Sequence, residues 1–479
     1  MSSFAFDSAT RRRLGYKLID RIDLYFSELP ERPVQLPVEL RSFDDLTDSM
    51  PEFGADAEKV LDDLCSELIV QGFHVPSANY FGLMNCTPTY MAVLAEALVA
   101  ALNPQLASLA RSQLASKIER ATLRWIGERV GWKTEFDGTF TSGGNEANFS
   151  ALAMALAARF PGATEEGVAV IGARPVLYTS TEGHHSLDKS AGLLGLGRKA
   201  VRRIPVTDKI QLDLTKLEAQ IARDQAEGFA PFCVAATAGT TNSGAIDDLV
   251  ALAGICQRRR LWLHVDGAYG AAAILSDRHR DLVEGIELAD SITIDPHKWL
   301  AMPFAAGVVI TRHPGTLRQA FAVSTPYMPK AHDGRAPGLD NFQVSTQWSR
   351  RMNSLKLWLT LRVHGRQAYE ELIDRQLKLA AFFADCIRNS QHFELAAPQV
   401  LPIVNFRLRK MAATQDQLAA AHEAVIQQVT RDGRRWISAS AVSGRPILRM
   451  MVISYFTAYR HLEELMIALT EAAKNLPMG

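Results

Sequence analysis

Between residues 86 and 360, short runs of β-branched and apolar residues alternate with stretches of helical periodicity. The apolar runs are PVLYTST at 175–181, APFCVAAT at 230–237, LWLHVD at 261–266, SITID at 291–295 and GVVITR at 307–312. Strands that alternate with helices usually pair in parallel, because each helix returns the chain to the same end of the sheet. The pattern therefore predicts an α/β fold with a mostly parallel central sheet.

The sequence on either side of this region follows other patterns. Residues 1–85 combine amphipathic stretches with proline-marked turns, which predicts an N-terminal helical segment for docking to a second subunit. From 361 to 479, long helical stretches are interleaved with apolar runs such as LPIVNFRL and ILRMMVIS. We expect three parts, namely the docking segment 1–85, a large α/β domain over 86–360 and a smaller C-terminal α+β domain over 361–479.

Composition argues against several classes of partner. Lys plus Arg and Asp plus Glu number 52 each among 479 residues, so there is no basic surplus for nucleic acid. The longest apolar run, at 91–102, contains Glu96 and is too short to span a bilayer. The five cysteines are scattered and form no CxxC pair, against a disulfide scaffold or a zinc site. We expect a cytoplasmic globular protein that binds neither nucleic acid nor membrane.

Two polar side chains come directly after predicted strands. Asp266 ends the run WLHVD and is followed by the small residues GAYG, and Lys298 follows SITI in the sequence DPHKW. A single crossover helix over 271–289 is expected between them, so the two strand ends should face one crevice. In open α/β sheets, ligands bind beyond the carboxyl ends of the strands. An unpaired buried ammonium is costly, so Lys298 needs a chemical reason for its position.

Other polar groups lie at further strand ends. The turn TSGGNEAN supplies Gly143, Gly144 and Asn145 before a helical stretch, where free amides and the helix dipole suit a phosphate. The run VAAT is followed by Thr240 and Thr241, and VLYTST is followed by the histidine pair in EGHHSLDKSA. Each feature alone is commonplace, since such a glycine turn is often an ordinary helix cap.

Together, these features predict pyridoxal phosphate as the cofactor. The glycine turn would hold the phosphate, and the GAYG segment would admit a flat ring. Lys298 would bind the aldehyde as an imine, and Asp266 would keep the pyridine nitrogen protonated so that the ring accepts electrons. A histidine, for which His185 is the candidate, would stack on the ring face.

The chain resembles the group II pyridoxal-phosphate decarboxylases, which include the aromatic-L-amino-acid, glutamate and histidine decarboxylases. The resemblance rests on SGGNEAN, HHSLDKSAGLLG, ATAGTTNSGAID, HVDGAYG, DPHKW and SRRMNSLKLW, in this order. It implies a fold-type-I, aspartate aminotransferase-like enzyme and a homodimer with its active site at the subunit interface. It also implies decarboxylation of an L-amino acid to its amine and carbon dioxide, through a lysine aldimine and a quinonoid intermediate.

The resemblance also implies roles for single residues. Lys298 corresponds to the aldimine lysine, Asp266 to the partner of the pyridine nitrogen, and His185, six residues before Ala191, to the stacking histidine. Tyr327 falls where relatives that form amines keep a catalytic tyrosine. Further cofactor contacts are expected from Gly144, Asn145, Thr241 and His297. Two positions depart from the animal enzymes, with Asp295 in place of an asparagine that contacts the phosphate and Cys86 in place of a threonine.

Three other readings stay open. The same cofactor chemistry could serve transamination, carbon–carbon bond cleavage or oxidative deamination. The chain could be a non-catalytic protein on the same fold, although it retains Lys298 and Asp266. It could also be a metal-dependent hydrolase that uses His184 or His185 with His264 and Asp266. Yellow absorbance that borohydride bleaches separates the first reading from the other two.

Overall fold

A computed structural model describes residues 4–36, 50–133, 135–325, 340–409 and 414–476. Within these residues, eleven strands form a large sheet of seven and a small sheet of four. The strands of the large sheet are β1 (Asp137–Thr141), β2 (Pro175–Ser180), β3 (Val201–Ile204), β4 (Ala230–Thr237), β5 (Trp262–Asp266), β6 (Ser291–Ile294) and β7 (Gly307–Thr311). Those of the small sheet are β8 (Phe393–Leu395), β9 (Ile403–Leu408), β10 (Ser438–Val442) and β11 (Arg445–Met451).

The large sheet has the strand order β1-β7-β6-β5-β4-β2-β3. Strands β2 to β6 pair in parallel, whereas β7 is antiparallel to both of its neighbours, β1 and β6. The expected α/β class with a mostly parallel sheet is therefore confirmed. The sequence patterns did not reveal β1 and β3, which are the two edges of the sheet. Both are short and hold polar residues, so they lack the apolar run that marks a central strand.

The helices lie against the two sheets and against one another. They are α1 (Ser8–Glu28), α2 (Ala57–Gln71), α3 (Tyr90–Leu102), α4 (Gln113–Val130), α5 (Gly144–Arg159), α6 (Ala163–Glu166), α7 (Ser186–Leu193), α8 (Leu214–Ala226), α9 (Leu249–Arg259), α10 (Thr316–Phe321), α11 (Ser354–Arg388), α12 (Gln415–Thr430) and α13 (Tyr459–Lys474). The central strands are buried on both faces, and side chains such as Val234, Val265 and Ile292 belong to the largest hydrophobic core.

The expected crossover helix over 271–289 is wrong. The chain between β5 and β6 instead forms short 3₁₀ helices at Gly270–Leu275, Arg280–Val283 and Ile286–Leu288. Gly285 adopts a φ of +83°, whereas a right-handed α-helix requires a negative φ at every residue, so a helix cannot continue through this position. The connection still joins two neighbouring parallel strands, so Asp266 and the Lys298 turn both lie at the carboxyl ends of these strands.

The small antiparallel sheet has its own hydrophobic cluster, with Phe383, Phe406 and Leu448 among its members. Helix α11 links the two sheets and is interrupted at Gly365, where φ is +72°. The expected boundary between residues 360 and 361 falls inside this helix, and the proposed three-part division stays a prediction. Among the described residues, no helix is both long enough and apolar enough to cross a membrane.

Candidate active site

A cavity of about 330 Å³ lies beyond the carboxyl ends of β4, β5 and β6. Asp266 is the last residue of β5 and pairs in register with Thr237 of β4 and Thr293 of β6. The cavity is lined by Met84, Ser142, Gly143, Gly144, Asn145, Glu146, Asn148, His184, Thr237, Gly239, Thr241, Asp266, Ala268, Tyr269, Asp295, His297 and Lys298. The structure thus brings together most of the polar residues predicted to lie at the strand ends.

Lys298 faces this cavity with 22% of its side-chain surface exposed. Its Nζ lies 3.2 Å from Oδ2 of Asp295, and that carboxylate is almost fully buried. The ion pair explains how the fold accommodates an amine at this depth, because a buried charge is tolerated when it is paired. The Lys298 side chain lines the cavity, so its amine can meet a bound aldehyde once it has given up its proton.

The turn that presents Lys298 is held from several sides. The Lys298 amide donates to the Asp295 carbonyl at 2.9 Å, which closes the turn. The next side chain, Trp299, is buried, stacks on Tyr269 with ring centroids 5.1 Å apart, and donates from Nε1 to Gln376 at 2.6 Å. These contacts hold the backbone of the turn and so limit the positions that the Lys298 amine can reach. A restricted amine is better oriented toward a bound reactant.

A buried hydrogen-bond network fixes Asp266. Nδ2 of Asn148 donates to Oδ2 of Asp266 at 2.8 Å, and the Ala268 amide donates to Oδ1 at 3.2 Å. The amide oxygen of Asn148 accepts in turn from the Thr293 hydroxyl at 2.7 Å and lies 3.1 Å from Nε2 of His264. Burial lowers the pKa of His264 below its ordinary value, so this imidazole is neutral near pH 7. The Asp266 carboxylate is therefore the charged group of a network whose other side chains are neutral.

Asn148 and Thr293 were not predicted from the sequence. Asn148 lies three residues after Asn145 on α5, so the two share one helix face, and that spacing was the available signal. From the sequence, His264 was considered as a ligand only in the hydrolase reading. It lies two residues before Asp266 on β5, on the same face of the strand, which places it in the network around that carboxylate.

The two adjacent histidines point to different places. His184 lines the cavity, and desolvation there lowers the pKa of its imidazole. Nδ1 of His184 accepts from the Ser186 amide at 3.1 Å, which orients the ring. The side chain of His185 is 92% exposed and lies beside Asp188, 3.3 Å away. The structure therefore brings His184 to the cavity, and not His185, which the motif spacing favoured.

The glycine turn opens helix α5 at the cavity. Gly144 begins the helix, and a Cβ atom at this position would lie 2.7 Å from Oδ2 of Asp295, so a side chain does not fit there. The first amides of a helix have no partner inside it and favour an anion. Thr241 also lines the cavity, whereas the Thr240 hydroxyl turns away to Ser243 at 2.7 Å.

His297 and Cys86 anchor the lysine turn. Nδ1 of His297 accepts from the Ala306 amide at 3.1 Å, so the neutral ring carries its proton on Nε2, and burial lowers the pKa of the imidazole. Cys86 does not line the cavity. Its thiol donates to the carbonyls of His297 and Met302 at 3.2 and 3.4 Å, and burial raises the pKa of the thiol to about 12. Tyr327 lies outside the described residues.

These residues fit pyridoxal phosphate. The cavity offers an amine for the aldehyde, a fixed carboxylate for the pyridine nitrogen, and a glycine turn at a helix N-terminus for the phosphate. Among the described residues, no group of three or more His, Cys, Asp or Glu side chains could hold a metal ion. The groups that line the cavity therefore suit the organic cofactor.

Comparison with known proteins agrees with the cavity. Residues 37–409 match a family described as pyridoxal-dependent decarboxylase conserved domain. The chain is 31% identical over 473 residues to an aromatic-L-amino-acid decarboxylase of Bacillus atrophaeus, covering 98% of this chain and 96% of that protein. It is 26% identical over 476 residues to a phenylacetaldehyde synthase of Arabidopsis thaliana, covering 98% of this chain and 97% of that one.

A solved structure extends the likeness to three dimensions. The Oryza sativa TDC, determined with PLP and tryptamine, has a TM-score of 0.91 and 25% sequence identity to this chain. The likeness covers 98% of this chain and 99% of the rice protein. The family match spans most of the sequence, and the fold agrees along nearly its whole length. The chain belongs to the pyridoxal-phosphate-dependent amino acid decarboxylases.

Proposed function

We propose that this enzyme converts an L-amino acid to the corresponding amine and carbon dioxide, with Lys298 as the residue that binds the cofactor covalently. The proposal rests chiefly on one observation, which is that the Lys298 amine, the Asp266 carboxylate and the glycine turn at Gly144 line a single cavity. Bound pyridoxal phosphate supplies an electron sink for the electron pair left on the α-carbon when carbon dioxide departs.

The side chains around the cavity can each serve this reaction. The Asp266 carboxylate is held by Asn148 and Ala268 and can accept a hydrogen bond from a protonated ring nitrogen. The Lys298 amine can bind the cofactor and move a proton. The imidazole of His184 can cover one ring face, while the amides at the start of α5 and the side chain of Thr241 can hold the phosphate.

The identity of the product depends on a residue outside the described part of the chain. By resemblance to the family, Tyr327 protonates the α-carbon and directs the reaction to the amine. The Arabidopsis relative named phenylacetaldehyde synthase keeps aldehyde formation as the second candidate. Screening the twenty amino acids for released carbon dioxide identifies the substrate, and product analysis then separates the two outcomes.

We expect the Tyr327→Phe variant to keep carbon dioxide release and to lose amine yield. The substitution retains the ring and removes only the hydroxyl, so a carbanion that is not protonated becomes open to oxygen, and aldehyde should appear under air. The measurement is the amount of amine, aldehyde and carbon dioxide formed by both proteins under air and under nitrogen. An unchanged amine yield in the variant would remove the assigned role of Tyr327.

The two histidines form a matched pair of variants. We expect His184→Ala to weaken cofactor binding and to lower kcat by roughly 10²-fold or more, since it removes the imidazole at the cavity. His185→Ala should stay within about threefold of the parent enzyme, a barrier change under roughly 1 kcal/mol, because that side chain is 92% exposed. Cofactor titration and steady-state kinetics compare the two. The reverse ranking would return the stacking role to His185.

We also propose a homodimer with the active site at the subunit interface. Helices α1 and α2 contain no buried residue, and apolar side chains on them, such as Leu24 and Leu68, are more than half exposed. Exposed apolar side chains on two helices that pack against each other favour an interaction site at this place. Light scattering should give twice the 52.8 kDa mass of the chain, and a monomer at working concentration would refute the proposal.

Cytoplasmic location stays a prediction from composition.

A further inference from the structure

Asp295 places a carboxylate beside the proposed phosphate site. It directly follows β6, is 2% exposed and lines the cavity. Its Oδ2 is so close to the start of α5 that a Cβ on Gly144 would lie 2.7 Å away. The helix N-terminus favours an anion, and Asp295 is already an anion at that position.

The neighbours of this carboxylate are few. Oδ2 lies 3.2 Å from Nζ of Lys298 and 3.6 Å from Nε2 of His297, and Oδ1 is buried with no hydrogen-bond partner among the described residues. His297 is neutral near pH 7, because burial lowers the pKa of its imidazole. Of the described residues that line the cavity, Lys298 is the only lysine or arginine. The Lys298 ammonium is thus the charge that balances Asp295.

Cofactor binding disturbs this balance, if pyridoxal phosphate is held as proposed above. The cofactor aldehyde would form an imine, with release of water, at the same Lys298 nitrogen that pairs with Asp295. Its phosphate brings further negative charge to the amides of α5, next to the same carboxylate. Like charges at close range repel, and burial strengthens the repulsion because little water screens it.

We propose that Asp295 weakens the binding of the phosphorylated cofactor and so makes this enzyme prone to release it. The inference rests on the proposed placement of the phosphate at the Gly144 turn. An asparagine at position 295 would have almost the same shape without the charge, and its amide could donate to a phosphate oxygen. We therefore expect Asp295→Asn to bind pyridoxal phosphate at least tenfold more tightly, about 1.4 kcal/mol.

The test uses the full-length protein freed of cofactor and titrated by visible absorbance. Pyridoxal phosphate and pyridoxal are the two probes, since pyridoxal carries the aldehyde and ring without the phosphate. Asp277→Asn is the matched control, because this exposed aspartate lies outside the cavity lining and its loss changes the net charge equally. Circular dichroism checks the fold of each variant, and Asp295→Ser provides a second neutral residue should the asparagine variant fail to fold.

We expect tighter pyridoxal phosphate in Asp295→Asn, a clearly smaller change for pyridoxal, and no change for either probe in Asp277→Asn. Equal or weaker binding of pyridoxal phosphate by the variant would overturn the inference. Equal tightening of both probes would also overturn it, because the phosphate would then play no part. A parent protein that gains no absorbance band with pyridoxal phosphate would instead contradict the proposed function, so the two failures are distinguishable.

Discussion

Lys298→Ala should abolish carbon dioxide release. The Nζ atom is the amine that the cavity offers to the cofactor aldehyde, and alanine leaves no nucleophile in its place. The backbone of the turn keeps its hydrogen bond between the Lys298 amide and the Asp295 carbonyl, so we expect the fold to persist. The free energy of unfolding should fall by about 1–3 kcal/mol, because the buried Asp295 carboxylate loses its charged partner.

Absorbance and activity together test this prediction. The parent protein should show a visible band that borohydride bleaches, and the reduced cofactor should then stay attached to the chain. Lys298→Ala should show no such attachment after borohydride treatment. Lys189→Ala is a matched control, since Lys189 is an exposed lysine on α7 and does not line the cavity. Carbon dioxide release by Lys298→Ala at the parent rate would end the proposed function.

Asp266→Asn should lower kcat by roughly 10²–10³-fold, with cofactor still partly bound. Asparagine preserves the shape of the side chain and removes the charge that keeps the ring nitrogen protonated, so the electron sink weakens. The new amide would also meet Nδ2 of Asn148, a donor that now hydrogen-bonds to the carboxylate. Steady-state kinetics and the visible spectrum of the bound cofactor measure both effects.

Asp224→Asn is the control for loss of a buried carboxylate. Asp224 is as deeply buried as Asp266, but it accepts from Tyr178 and Arg202 away from the cavity. We expect this control to lose stability without a change in the cofactor spectrum. An Asp266→Asn rate within about threefold of the parent, under roughly 1 kcal/mol of barrier, would contradict the role assigned to Asp266.

The placement of His184 illustrates where motif spacing reaches its limit. Adjacent residues project in different directions, and which one enters a cavity depends on the backbone at that place. Here the amide of Ser186, the first residue of α7, donates to Nδ1 of His184, and His184 lines the cavity. Counting residues from Ala191 favoured His185, because a count contains no information on backbone direction.

The sequence by itself determined the class of the fold and the chemistry of the strand ends. Apolar runs marked the central strands, and Asp266 and Lys298 come at or just after the ends of two of those runs. Ligand sites lie beyond the carboxyl ends of parallel strands, so the sequence could assign both residues to the site. Only the tertiary structure decided that β7 runs antiparallel, that Asn148 holds Asp266, and that Lys298 pairs with Asp295. The spacing of apolar residues reflects the local geometry of a helix or a strand, so it can be read along the sequence. A contact between α5 and β5 joins distant segments, so it depends on how those segments pack.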